Sequence, residues 1–188
     1  MKSVLLAALT CCLPLVAAAA ELQSIEVSRT DGVYHVRSEV LFEASRQSLY
    51  EVFADWDLST QFSSIVVESR NEAADDDGRP QYYSRLEACV ILFCRSFERN
   101  GYIELQPFTS IRSVANPDSS DFHIAEESWL LSDDKGATKV IYELSAKPKF
   151  WIPPVIGPFI IKRKLEKSTI DALQRMESIA QAKMLADE

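Results

Sequence analysis

The sequence predicts an α+β fold in which a curved antiparallel sheet grips one long C-terminal helix, with two short helices inserted near the start. Three observations carry this. Apolar and polar residues alternate in short runs between turn formers from residue 22 to 146; helical spacing interrupts that alternation around Leu49, Val52 and Phe53; and residues 160–184 read as a single amphipathic helix.

Residues 22–42 form the first hairpin, with Ile25 and Val27 before Asp31-Gly32, and Tyr34, Val36, Val40 and Phe42 after it. Asp-Gly suits a two-residue turn that needs positive φ. Ala44-Ser45 then caps a helix, and Trp56 and Phe62 belong to a second short helical piece after Asp57. β character returns at 65–69, followed by the acidic turn Asp75-Asp76-Asp77-Gly78 and by runs at 81–88, 95–106 and 109–115. Asn100-Gly101, Pro107 and Asn116-Pro117-Asp118 read as turns, with Asn100-Gly101 alternatively a bulge inside one long strand. The last pair, 123–131 and 138–146, flanks the turn formers Asp133-Asp134-Lys135-Gly136. An apolar, Pro-rich stretch at 150–159 leads into the terminal helix. Its apolar face carries Leu165, Thr169, Ala172, Met176 and Ile179, with Leu173 and Ala180 beside it.

At the start of the chain, Met1-Lys2 precedes an apolar run over 4–16 and then Ala17-Ala18-Ala19-Ala20. A positive start, an apolar stretch and small residues are the order of a signal peptide, here cut after Ala20. Pro14 interrupts a run already marginal for a hydrocarbon core of about 30 Å, which argues against a retained anchor. Neither Cys11 nor Cys12 has the residues before it that lipidation requires. The expected products are a signal peptide, 1–20, and one domain, 21–188, in the periplasm or secreted. A formal net charge of -8 argues against a nucleic-acid partner, which needs a Lys/Arg surplus. Only Cys89 and Cys94 remain after cleavage, in a stretch that reads as two strands joined by a tight apolar turn. An oxidising compartment favours a disulfide between them; the alternative is two buried thiols. Two thiols with no nearby His are too few for a zinc site.

The element order resembles the START-like (SRPBCC) superfamily and its helix-grip fold, in particular the polyketide cyclase and coenzyme-Q-binding START-like branch. The features that carry the resemblance are the helical Leu49-Tyr50-Glu51-Val52-Phe53-Ala54-Asp55-Trp56, the Trp129 hairpin, and the helix holding Leu165 through Met176. It covers nearly all of 21–188. The resemblance implies an elongated apolar cavity between sheet and helix that receives lipids, isoprenoid quinones, sterols or polyketides. The expected function is therefore binding or transfer of a hydrophobic small molecule, without a cofactor. Two alternatives stand beside it: a cofactor-independent cyclase or dehydratase in the same cavity, and a protein-interaction module with a filled core.

Within such a cavity, Tyr83, Arg85 and Tyr142 are candidate orienting groups, Trp129 an apolar wall, and Leu165, Thr169 and Met176 the helix side. Val90, Ile91, Leu92 and Phe93 between the cysteines, and Trp151, Ile152 and Phe159 before the helix, are apolar residues in connections, where chains normally meet water. They form either a portal rim in transient contact with a membrane or plugs that seal one end of the core. His35 and His123, the only histidines, read as solvent-facing strand residues. Arg37, Glu87, Arg99, Tyr102, Glu126 and Glu127 supply acid, base or anion-stabilising groups only where they point inward. With no Gly-rich phosphate loop, G-x-S-x-G elbow or metal-spaced His cluster, the expectation is a binding protein rather than an enzyme.

Overall fold

Asp31 and Gly32 adopt φ of 52° and 82°, and the chain reverses there between β1 (Glu21–Thr30) and β2 (Val33–Phe42). The computed structural model describes residues 20–90, 93–152 and 158–186. Ser45 caps α1 (Arg46–Ala54), its Oγ accepting from the Ser48 amide at 3.2 Å. A 3-10 turn (Trp56–Leu58) and α2 (Ser59–Phe62) follow. The remaining strands are β3 (Val66–Glu72), β4 (Gln81–Val90), β5 (Phe93–Gln106), β6 (Ser110–Ala115), β7 (Phe122–Asp134) and β8 (Ala137–Pro148), and the chain ends in α3 (Pro158–Ala186).

All eight strands form one sheet in the order β1-β2-β8-β7-β6-β5-β4-β3, every neighbouring pair antiparallel. The expected α+β architecture is the one observed. Two local expectations change. β5 runs straight through Asn100-Gly101, so that pair is neither turn nor bulge: a Cβ on Gly101 would lie 2.0 Å from the Val114 carbonyl oxygen, and only glycine lets the strands approach this closely. β7 and β8 also run further than expected. Lys135 and Gly136, at φ 52° and 93°, make the whole turn, and Asp133 and Asp134 stay in the ladder.

The main core gathers Val40, Phe42, Ile103, Ile111, Leu131 and Val140 from the sheet, Leu49, Val52 and Phe53 from α1, and Leu173 and Ala180 from α3. α3 is tied to this end by Glu177, whose Oε2 accepts from the Glu43 amide at 3.1 Å and whose Oε1 accepts from Gln181 Nε2 at 2.8 Å. The other face of the sheet is a lattice of exposed charge pairs, Arg37 with Glu143, Lys139 with Glu39, Arg70 with Glu68 and Glu72, and Arg112 with Glu104 and Glu126. Such surface pairs are worth little individually, ~0–1 kcal/mol; their consequence is that this face stays in water.

At the opposite end, Cys89 and Cys94 occupy directly paired positions of β4 and β5 and are joined by a disulfide, with their Cα atoms 3.9 Å apart. The expectation of a disulfide holds. Both residues are exposed, so the alternative of buried thiols does not.

Candidate functional site

Alternation decides which side chains meet α3. On β2 the even residues Tyr34, Val36, Ser38, Val40 and Phe42 are buried, while His35 is exposed, its Nδ1 3.0 Å from Ser145 Oγ on the outer face. His123 is exposed as well. On β4 the inward residues are Tyr82, Ser84 and Leu86. Tyr83 and Arg85 therefore point away from α3: Arg70 lies 4.0 Å over the Tyr83 ring, and Arg85 pairs with Glu68 and Glu87. This corrects the expectation that they orient a ligand. The physical reason is the strict two-residue period of a strand, which sends neighbours to opposite faces. Arg37, Glu87, Tyr102 and Glu126 share the outer face through their charge pairs or, for Tyr102, the Arg79 guanidinium stacked 4.4 Å from its ring centroid.

Inward-facing Arg99 and Glu127 meet in the middle of the sheet. Their side chains form a charge pair, each 11% exposed. Burial opposes the charge on Arg99, and the Glu127 carboxylate beside it more than offsets that, holding the guanidinium firmly protonated. Arg99 Nε is buried with no hydrogen-bond partner among the described residues. Tyr82 and Tyr142 flank the pair, and burial pushes both phenols above their ordinary value, Glu127 adding to the effect and Arg99 opposing it. At neutral pH the cluster therefore presents a cation beside Glu127 and two protonated hydroxyls.

Sequence reasoning named Tyr142, Arg99 and Glu127 but missed Tyr82 and Ser84. A signal for them was present. Leu86 alternates with charged Arg85 and Glu87, which sets the parity of β4, and Arg99 shares its parity with Phe97 and Ile103 as Glu127 does with Ala125, Trp129 and Leu131.

Trp129 pairs across the ladder with Tyr142 and Ile111, and its ring lies 5.4 Å from Tyr142, 6.0 Å from Trp56 and 6.4 Å from Phe53. Packing changes along the inner face of the sheet from here. Toward α1, Phe42, Ile111, Leu131, Val140 and Ala180 are closed off from solvent; toward the disulfide end, inward-facing Trp129, Tyr142, Leu144 and Phe97 keep accessible surface, as do Leu165 and Thr169 on α3. Met176 is half-buried against the main core. The far end holds a second apolar group, in which Phe97, Phe122 and Phe150 lie 5.4–6.0 Å apart around Ala115 and Ala125.

Of the connection residues, Phe150 folds back into that group, whereas Trp151 and Phe159 are 73% and 76% exposed and Ile152 is half-buried. Ile91 and Leu92 lie outside the described residues, as do the side chains of Val90 and Phe93 and the whole of residues 1–19.

No protein-family model matches the chain, and no curated protein does. Solved structures do. The chain is similar to a STAR-related lipid transfer protein from Xanthomonas axonopodis (18% identity, TM-score 0.58, covering 84% of this chain and 98% of that one). A START superfamily protein from Mycobacterium smegmatis matches at 17% identity and TM-score 0.58, over 79% of this chain and 97% of that one. The Zhui aromatase/cyclase from Streptomyces sp. R1128 matches at 13% identity and TM-score 0.59, over 81% and 96%. The fold is START-like. At these identities the likeness extends to the fold and no further.

Proposed function

We propose that this protein binds and transfers an apolar small molecule that carries an oxygen at one end, held between the sheet and the N-terminal half of α3. A lipid, an isoprenoid quinone or a polyketide-like compound fits that description. The observation that carries the reading is the juxtaposition of accessible, inward-facing Trp129, Tyr142 and Leu144 with a buried guanidinium whose Nε has no partner. A buried donor left unpaired costs about 1–3 kcal/mol, and a ligand oxygen there would recover it. The apolar wall supplies the remaining affinity, about 25 cal/mol per Å² of surface removed from water. The named neighbours include both a lipid transfer protein and an aromatase/cyclase, so they do not decide between carriage and reaction. Charged Arg99 beside Glu127, and the phenols of Tyr82 and Tyr142, supply donors that suit an oxygen at the end of an apolar ligand. In this reading the chain is exported after cleavage behind Ala20, and Trp151, Ile152 and Phe159 line the way in.

Native mass spectrometry of the protein purified from its own cell envelope, with organic extraction of what co-purifies, tests this directly. The expected result is a chain beginning at Glu21 with one apolar molecule bound, and a Trp129→Ala variant with lower occupancy at matched folding stability. A protein that is ligand-free in every preparation overturns the reading; equal occupancy in the variant removes Trp129 from the wall.

A further inference from the structure

Two of the most exposed large apolar side chains, Trp151 and Phe159, lie in the most basic part of an acidic protein. Residues 147–167 hold six of the twenty Lys and Arg residues and a single acidic one, Glu166, while the whole chain carries a net charge of -8. The topology brings the described parts of this segment, 147–152 and the start of α3, to one end. β8 finishes there, with Pro148 paired to Phe122, the Lys149 amide donating to the Asp121 carbonyl at 2.9 Å, and Phe150 packed on Phe97 and Phe122. α3 starts its return from the same end, since its other half is fixed near Glu43 by Glu177.

Trp151 and Phe159, 73% and 76% exposed, are therefore accompanied by exposed Arg95 and Arg163, by exposed Lys149, whose Nζ donates to the Pro117 carbonyl, and by Lys162, 43% exposed and 3.8 Å from Glu166. Arg95 stacks 4.5 Å over Phe150, which holds its charge beside the aromatic residues. Asp31, Asp118 and Asp121 occupy neighbouring turns, so the positive excess belongs to the 147–167 segment rather than to every loop at this end. Aromatic side chains left in water cost free energy unless something apolar receives them, and cations around them select what that is.

The geometry points to a peripheral docking site for an anionic phospholipid bilayer. Trp151 and Phe159 enter the interface, and Lys149, Lys162 and Arg163 meet the phosphates. The inference deepens the transfer reading by naming the surface against which the groove opens, and it rests on that reading only for its purpose. Aromatic side chains with an apolar body and a polar edge settle at the headgroup level. Each basic residue near an anionic surface contributes about fivefold in binding. The acidic remainder of the chain is repelled by the same surface, which orients the encounter with the basic segment foremost.

The test is co-sedimentation of the purified protein with vesicles of phosphatidylcholine alone and of an equal mixture of phosphatidylcholine and phosphatidylglycerol, with tryptophan emission recorded in parallel. Binding is expected to the mixed vesicles only, and to fall away at ~1 M salt, where the Debye length is ~3 Å. Lys162→Ala with Arg163→Ala should weaken it roughly 25-fold. Of the three tryptophans Trp151 is the exposed one, so a blue shift on binding should vanish in Trp151→Phe. Equal binding to both vesicles, no binding to either, or binding unchanged in the double variant overturns the proposal, as does a stoichiometric protein partner on this surface in place of lipid. Ligand occupancy measured on the same preparations separates the two ideas: a loaded protein that ignores vesicles sinks the docking alone, and an empty protein that docks sinks the ligand reading alone.

Discussion

Arg99 and Glu127 are each costly to bury, and together they tolerate the interior because one neutralises the other. Removing one partner leaves an uncompensated charge. Arg99→Leu or Glu127→Leu alone should lower stability by about 3–5 kcal/mol, whereas the double substitution should recover most of that loss. Urea unfolding of the four proteins measures the cycle. If the pair also serves the ligand, the restored double variant purifies with less bound molecule than the parent; undiminished occupancy would make the pair purely structural. These residues were legible as inward candidates because each shares its parity with apolar neighbours, Arg99 with Phe97 and Ile103, Glu127 with Trp129 and Leu131. Tyr83 and Arg85 misled because two tyrosines stand side by side at 82 and 83, so side-chain type alone does not choose the face; the buried Ser84 and Leu86 do.

Among the elements, the β4–β5 hairpin is the one held by a covalent bond. Cys89 and Cys94 close a loop of only a few residues, for which the chain-entropy account gives about 2 kcal/mol. Reduction, or Cys89→Ser with Cys94→Ser, should lower the unfolding free energy by roughly that amount. Because the bond lies at the end of the sheet away from the main core, the larger effect is expected in local hydrogen exchange of the β4 and β5 amides near it. Uniform loss of protection across α1 and β2 would contradict this placement. The hairpins were readable from turn chemistry: Asp31-Gly32 and Lys135-Gly136 both supply the positive φ a tight reversal requires. Asn100-Gly101 has the same composition yet sits mid-strand, because its glycine answers the closeness of Val114, a residue remote in sequence.

For the molecule as a whole, Glu177 couples the last element to the first third of the chain. Its carboxylate accepts from the Glu43 amide at the entry to α1 and feels that of Ala44 beside it. Burial pushes the Glu177 carboxyl above its ordinary value, more than those amides and Gln181 pull it down. A raised carboxyl binds its proton more tightly in the folded state, so the stability it contributes is complete below its ordinary value and is lost as pH rises through the folded one. Glu177→Gln keeps an acceptor and removes the titration. The variant's stability relative to the parent should therefore rise between pH 4 and pH 7, read from urea midpoints; a pH-independent difference would show that Glu177 titrates alike in both states. Glu177→Ala, which abandons the Glu43 amide, should cost about 1–3 kcal/mol at either pH.

Local physics settles much of this protein. The period of two in the strands, the period near 3.6 in the last helix, the Ser45 cap and the glycine turns are nearest-neighbour effects, and they suffice for the order of elements and the class of fold. The sheet order, the meeting of Arg99 with Glu127, the burial of Glu177 and the drop in packing beyond Trp129 depend on strands and a helix far apart in the chain. No local pattern encodes which of two inward positions will be covered. Only the docking of α3 by its C-terminal half decides that the inner face of the sheet is covered at Phe42 and Leu131 and keeps accessible surface at Tyr142 and Leu144.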